Sequence, residues 1–581
     1  MKQLRFWIPF LVASMLWLVS ACGGGTPAPA ATAPAAANTT APVGGATVPA
    51  AANTAVPAAP TSAPAAPTTA PAAGQAVKGG TLVVSHGVNV PDTLNQHLSN
   101  NTISRMVAHH VLDTLVAVNP KDNSVQPGLA SSWDISTDGK VYTFHLRQGI
   151  KFHDGTPFNA QAVKFNLDYT ARPDIKHAFA WQALGGDKYD KTEVVDDNTA
   201  RVSFKSANPS FLVNLSDGGM GIDSPTAVAK DGDNYGVKSL VGTGPFTFKE
   251  WVKNDHVTLV RNEDYNWAPS FFKHKGPAYL DQIIYRDVAD NATRESALEA
   301  GDLQVATLVE PQVAQLQGNK DVQVLTTPKA GTTRMYMMNT GKAPTDDINV
   351  RLAMNYAIDK KALLQLPAWS GIGNPGLSPL PANMVPGGDV SSLKPYDYAY
   401  DPAKAMQLLD AAGWKVGSDG IRVKDGQPLV LDFVTTSTTV TQVEPADGML
   451  RKVGAKLNIR TGDFNFWINT VDKGDYHMTL MSDSGFNGPA LVQEFFYSKS
   501  PSDYARYKNA QVDQYLEKAS NATTQKEVWD NVLPALAQIM KDAVNVNTWE
   551  QLYVYGARAT VRDVAFNEVG YPYFYDTWLA K

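Results

Sequence analysis

From Gly23 to Ala76 the chain carries no charged side chain and consists of Ala, Pro, Thr and Gly with a few Asn, Val, Ser and Gln; the next charge is Lys78. Such a stretch cannot bury enough apolar surface to offset the entropy lost on ordering. It is therefore predicted to be a disordered, partly extended tether, and folding is confined to the residues C-terminal to it. The remainder, Lys78 to Lys581, is long enough for two or three lobes. The chain is 44% apolar and 18% charged, proportions ordinary for a globular protein. A formal net charge of −6 offers no basic footprint, which excludes nucleic acid and makes polyanions poor partners.

Ahead of the tether, Lys2 and Arg5 precede an apolar run from Phe6 to Val19, followed by Ser20, Ala21 and Cys22. This is the pattern of an export signal, and the run is shorter than the roughly 20 apolar residues of a membrane helix. Val19-Ser20-Ala21-Cys22 resembles a bacterial lipobox, in which the Cys thiol is thioether-linked to diacylglycerol and the chain is cut just before it. The resemblance implies a signal peptide over 1–21, lipidation at Cys22, and a tether to residue 77 that spaces the folded part from the membrane. The expected location is extracytoplasmic, lipid-anchored to the cell membrane at its outer face or in a periplasm. Cys22 is the only Cys, so neither an intramolecular disulfide nor a Cys-rich metal site can form.

Beyond Gly79-Gly80, Thr81-Leu82-Val83-Val84 reads as a strand buried on both faces, and Ile103–Val116 as a helix running on into Val118. Asp138-Gly139 marks a hairpin turn before Val141–Arg147. Asn159 is placed to cap a helix. A second hairpin pairs 192–195 with 200–204 around Asp197-Asn198. Gly242, Gly244 and Pro245 suggest a turn of unusual backbone angles before the strand 246–251. Asp401 and Pro402 open a helix that Gly413 closes, and Leu352, Tyr356 and Leu363 are predicted to lie on a buried helix face.

Several blocks occur together and in order. They include Pro127-Gly128-Leu129-Ala130 with Ser132-Trp133, Lys151-Phe152-His153-Asp154-Gly155-Thr156-Pro157-Phe158, Gly242-Thr243-Gly244-Pro245-Phe246 and Arg261-Asn262-Glu263-Asp264-Tyr265. Leu298-Glu299-Ala300-Gly301, Ala357-Ile358-Asp359-Lys360 and Leu409-Asp410-Ala411-Ala412-Gly413-Trp414 continue the series. Together they resemble the extracellular solute-binding proteins of family 5, which serve dipeptide, oligopeptide and nickel importers, over nearly all of 78–581. The resemblance implies an α/β, two-lobed, periplasmic-binding-protein-like fold (type II, cluster C-like) with an extra subdomain in the first lobe. The expected division places the main lobe at 78–118, 225–325 and 546–581, the inserted subdomain at 119–224 and the second lobe at 326–545. It also implies a monomer that captures a small solute by hinge closure and delivers it to ABC permease subunits in the membrane.

No enzyme chemistry is legible. The chain has no nucleophile elbow, no thiol beyond Cys22, and no Gly-x-x-x-x-Gly-Lys-Ser/Thr loop for ATP. Gly371–Gly376 satisfies a three-glycine dinucleotide pattern, yet no strand precedes it and Pro375 and Pro379 break any following helix, so a loop is expected. His109 and His110 point about 100° apart on a helix and read as structural. No cofactor and no metal are expected.

The ligand is less sharply defined. Peptide-binding relatives carry a Trp-x-x-Asp-Tyr-x-x-Pro segment whose acid pairs with the ligand ammonium. Aligned on Pro489, this chain has Ser482 in place of the Trp and Gly485 in place of the acid, with Asp483 two residues earlier. A closed cleft without that counter-charge penalises a zwitterionic peptide, so an oligosaccharide stands beside a peptide as the expected solute. By alignment the ligand-binding residues are Asn100, Asn101, Thr102, Phe464, Trp467, Asp483, Phe486 and Trp549, whose amide, hydroxyl and aromatic groups suit hydroxyls and sugar faces. A solute sensor using the same fold without transport is the alternative reading.

Overall fold

The computed structural model describes residues 75–87, 93–176, 178–316, 318–366, 373–485 and 487–581. The signal segment, Cys22 and all but the end of the tether lie outside the described residues, as do Gly371, Ile372 and Phe486. Thr81–Ser85 sits in the middle of a seven-stranded sheet, whose spatial order is Val322–Pro328, Leu552–Arg558, Val305–Thr307, Thr81–Ser85, Gln282–Arg286, His256–Arg261 and Phe246–Val252. The middle strand runs parallel to both neighbours, and the other pairs are antiparallel. Its β-branched, apolar residues suit burial on both faces: Leu82 and Val84 enter the main core, while Val83 packs on a smaller cluster around Leu298 and Leu303.

A second sheet of five strands has the order Lys456–Gly462, Val430–Thr436, Met478–Met481, Arg334–Met338 and Asn545–Trp549. Here too the strand period of two sorts the side chains. Met335 and Met337 join one core, Tyr336 and Met338 the other. These two sheets organise the two lobes of the α/β fold. The chain passes between them at 329–333 and again at 550–551, and the passages are tied together: Lys329 N donates to Gln551 O at 3.0 Å and Gln551 Nε2 to Thr332 O at 3.2 Å.

Between strands of the first sheet, the chain also forms a four-stranded antiparallel sheet, Ala130–Ile135, Val141–Leu146, Thr199–Phe204 and Tyr189–Asp196, with its own core. Both hairpins foreseen there form, Gly139 taking φ 66° in the first turn, and Asn159 caps the helix Ala160–Thr170. This unit also touches the second lobe. Asn123 Nδ2 donates to the carbonyls of Asn383 and Val385 at 3.1 and 3.3 Å, and Gln525 Nε2 donates to Pro209 O at 2.6 Å.

Three local expectations are corrected. The helix read over Ile103–Val116 spans only Thr102–Ala108. Past it, the carbonyls of His110 and Val111 accept from Phe246 N and Gly244 N, so a sheet neighbour takes the groups a longer helix would have used. Gly242 and Gly244 do not adopt positive φ. They are glycines because a Cβ would lie 2.2 Å from Val111 O at the first and 2.7 Å from His110 O at the second. In Ile348–Ala357 the buried positions are Val350, Ala353, Met354 and Ala357 with Arg351 and Asn355, whereas Leu352 and Tyr356 are half-buried. Asp401 caps Pro402–Ala411 as expected, accepting from Lys404 N at 2.9 Å. Among the described residues no helix is long and apolar enough to cross a membrane.

Candidate functional site

Asp217 follows the short helix Phe211–Asn214 and caps the turn Gly218–Met220, its Oδ1 accepting from Gly219 N at 2.7 Å. The two glycines let this turn press inward, since a Cβ at Gly218 would lie 3.0 Å from His109 Cβ and one at Gly219 2.8 Å from the Phe179 ring. Asp217 as a whole is 3% exposed. From the C-terminal end of the chain, a small hairpin of Ala565–Phe566 and Pro572–Tyr573 projects Glu568 and Val569 at its tip. Asn567 Oδ1 holds the tip by accepting from Val569 N and Tyr571 N, and Gly570 turns the chain with φ 89°. Ser216 Oγ donates to Glu568 Oε1 at 3.2 Å, joining the two segments.

Opposite them stands the second lobe. Asn487 caps the helix Gly488–Phe496 by accepting from Ala490 N, and Gly488 is bare because a Cβ would meet Leu380 at 3.0 Å and Trp529 at 3.3 Å. Trp529 projects from the long helix Gln525–Lys541, which opens on a reciprocal Thr524–Glu527 cap. Asp217, Glu568, Asn214, Asn123, Asn383, Asn487, Gln525 and Trp529 line a cavity of about 80 Å³ between these walls. Ala330, on the first passage between the sheets, is also part of its lining. The cleft continues into a wider space of about 440 Å³ that shares Ser210, Asn214, Asn487 and Pro489 with it.

The electrostatics are one-sided. Among the described residues no Lys, Arg or His lines the inner cavity. Burial, reinforced by the charge of Asp217, pushes the Glu568 carboxyl up to about 7 despite the Ser216 hydrogen bond. Nearby, Arg105 rests 3.8 Å above the Phe179 ring and donates from Nη2 to Tyr571 Oη at 3.2 Å. Burial works against its charge, but Asp217 and Tyr571 sustain it and leave its pKa above the ordinary value. Arg105 thus stands within electrostatic reach of Asp217.

The residues expected from alignment are dispersed. Asn100 Oδ1 accepts from Phe179 N at 2.7 Å, Asn101 caps Thr102–Ala108, and Thr102 meets the Tyr571 hydroxyl. Phe464 is 65% exposed with its ring 5.5 Å from Trp467, whose indole N donates to Thr479 Oγ1 in the second-lobe core at 2.9 Å. Trp549 packs in that lobe's other core beneath the Arg334 guanidinium, 5.1 Å from the ring. Asp483 lies at the first passage: its backbone exchanges bonds with Thr332 at 2.8 and 2.9 Å, and its Oδ1 accepts from Gly485 N. Phe486 falls outside the described residues. None of the described candidates lines the inner cavity, although Asn487, Gly488 and Pro489, the end of the segment that holds Asp483, do.

Asp217 and Glu568 were missed, yet the sequence carried a signal for them. Each is the only charge in a long neutral run, Asp217 between Lys205 and Asp223 and Glu568 between Asp563 and Asp576. His109 hydrogen-bonds the carbonyls of Arg105 and Pro572, and His110 that of Met106, so both stabilise local structure. Among the described residues no group of three or more His, Cys, Asp or Glu is arranged to hold a metal ion.

Residues 124–504 match the family described as bacterial extracellular solute-binding proteins, family 5 (middle). The chain is 30% identical over 481 residues to the glutathione-binding protein GsiB of Pectobacterium atrosepticum, covering 78% of this chain and 85% of that one. It is 35% identical over 455 residues to the glutathione-binding protein GsiB of Escherichia coli O1:K1, covering 75% and 82%. Among solved structures, the periplasmic binding protein DppA of Helicobacter pylori in complex with the peptide STSA superposes with a TM-score of 0.62 at 25% identity, covering 87% of this chain and 99% of that one.

Proposed function

Because this chain belongs to the bacterial extracellular solute-binding proteins of family 5, we propose that it captures a peptide-like solute between its two lobes and delivers it to the permease subunits of an ABC importer. The observation that carries this reading is the cleft walled by both lobes, which are joined by the passages at 329–333 and 550–551. In this reading the main lobe, inserted subdomain and second lobe divide as expected from the sequence, and lipidated Cys22 holds a monomer at the membrane. No bond is made or broken. A solute touching Trp529 and Asn487 on one side and Asp217 on the other stabilises the closed arrangement only by as much as it binds that arrangement more tightly.

The amides that line the cavity pair equally well with peptide groups and with sugar hydroxyls, but the two carboxylates favour a solute that carries a cation. Relatives named for glutathione make that tripeptide the first compound to try. The test is a thermal-shift panel of glutathione, di- to tetrapeptides, oligosaccharides, and nickel with small chelators. Peptides or glutathione are expected to raise the melting temperature. A shift with oligosaccharides or nickel chelates alone would overturn the peptide assignment, and turnover of any of these compounds would overturn a purely binding role.

A further inference from the structure

We propose that Asp217 and Glu568 together form the cation subsite of the cleft, receiving a protonated amine or guanidinium group of the solute. The proposal rests on the solute-binding reading of the same cavity. It begins from the isolation of the two acids: they come from opposite ends of the chain, and Ser216 brings them to one wall through its bond to Glu568 Oε1. Asp217 is 3% exposed and lines the cavity, and only its Oδ1 has a hydrogen-bond partner among the described residues, the Gly219 amide. The other oxygen has no donor of its own among the described residues and is left for a donor from the cavity that Asp217 lines.

Charge balance gives the stoichiometry. Asp217 already has a cationic neighbour in Arg105, which is held on Phe179 and Tyr571. Glu568, raised to about 7, is only partly ionised near neutral pH, and nothing cationic among the described residues lines the cavity to favour its charged form. One positive group from the ligand completes the set, and Asn214 and Asn487 line the same cavity. Trp529 across the cleft offers an aromatic wall to the carbon atoms next to that cation, or its face to the cation itself.

The experiment is titration calorimetry on the purified chain with a peptide that shifts its melting temperature, compared with the same peptide N-acetylated. Both are run on the parent, on Asp217→Asn and on Glu568→Gln. These substitutions keep the Oδ1 acceptor for Gly219 and an acceptor for Ser216, and thermal melts establish that each variant is folded. The free-amine peptide is expected to bind about tenfold or more weakly to either variant, and acetylation to weaken binding to the parent by a similar factor. Acetylation should cost little in the double variant. Equal affinity for both peptides, with neither variant affected, would overturn the cation subsite while leaving the solute-binding reading intact. Binding of oligosaccharides alone would overturn the subsite and the peptide assignment but not solute binding, and a panel in which no solute of any class binds would overturn both.

Discussion

Glu568 shows how a residue that looks ordinary in sequence acquires a special chemistry from its surroundings. Burial first, and then the neighbouring Asp217 charge, raise its carboxyl from 4.5 to about 7, against the Ser216 hydrogen bond. A group raised in the folded state contributes stability that is complete below its unfolded value and is lost as pH rises through the folded one, here between 4.5 and about 7. Glu568→Gln removes that titration. Its melting temperature relative to the parent is therefore expected to climb by about 1–2 °C as pH rises from 4.5 to 8, which scanning calorimetry reads directly. A flat difference would mean that the carboxyl ionises as freely in the folded chain as in the unfolded one. Trp549 illustrates the opposite case. With 8% of its surface exposed and a place in the second-lobe core, Trp549→Ala is expected to destabilise by about 3 kcal/mol or more in urea unfolding, as for other buried aromatic deletions.

Elements in this protein end where a neighbour claims their backbone. Thr102–Ala108 stops short of the apolar run that continues to Val118 because Gly244 and Phe246 take the next carbonyls, and the missing side chains of Gly242 and Gly244 permit that approach. Gly242→Ala is accordingly expected to cost about 1–3 kcal/mol in urea unfolding, the range for forced overpacking, because the clash is with backbone that cannot swing aside. Gly155→Ala makes a useful contrast. With φ 83° and nothing within 4 Å of an added Cβ, it meets only backbone strain of about 1 kcal/mol. Equal costs at the two positions would sink the close-approach account.

At the scale of the whole molecule, two short passages link two sheets, and the first leans on the second lobe through Thr332 and Asp483. Gly331 permits that contact: it has φ 130°, and a Cβ there would lie 2.0 Å from Asp483 O. Gly331→Val should pry the passage from Asp483 and weaken solute binding several-fold while leaving far-UV circular dichroism unchanged. Unaltered affinity would mean that the passage does not govern how the lobes meet. A saturating solute should also reduce the radius of gyration seen by small-angle scattering, since closure brings the walls of the cleft together.

By itself the sequence determined what is written in contiguous residues. The hairpin at Asp138-Gly139, the caps Asn159 and Asp401 and the doubly buried strand Thr81–Ser85 each depend on residues a few positions apart. The family followed from blocks of that kind recurring in order, confirmed by a match over 124–504. Only the tertiary structure decided the rest. Ser216 and Glu568 are 352 residues apart, and no local pattern announces that they share a wall. Asp483, nearest in sequence to the expected acid, is drawn into backbone contacts at the passage, while Gly242 and Gly244 turned out to serve packing and not torsion. Periodicity and capping are short-range effects of one segment on itself, whereas a cleft is made by segments that meet only after the chain has folded.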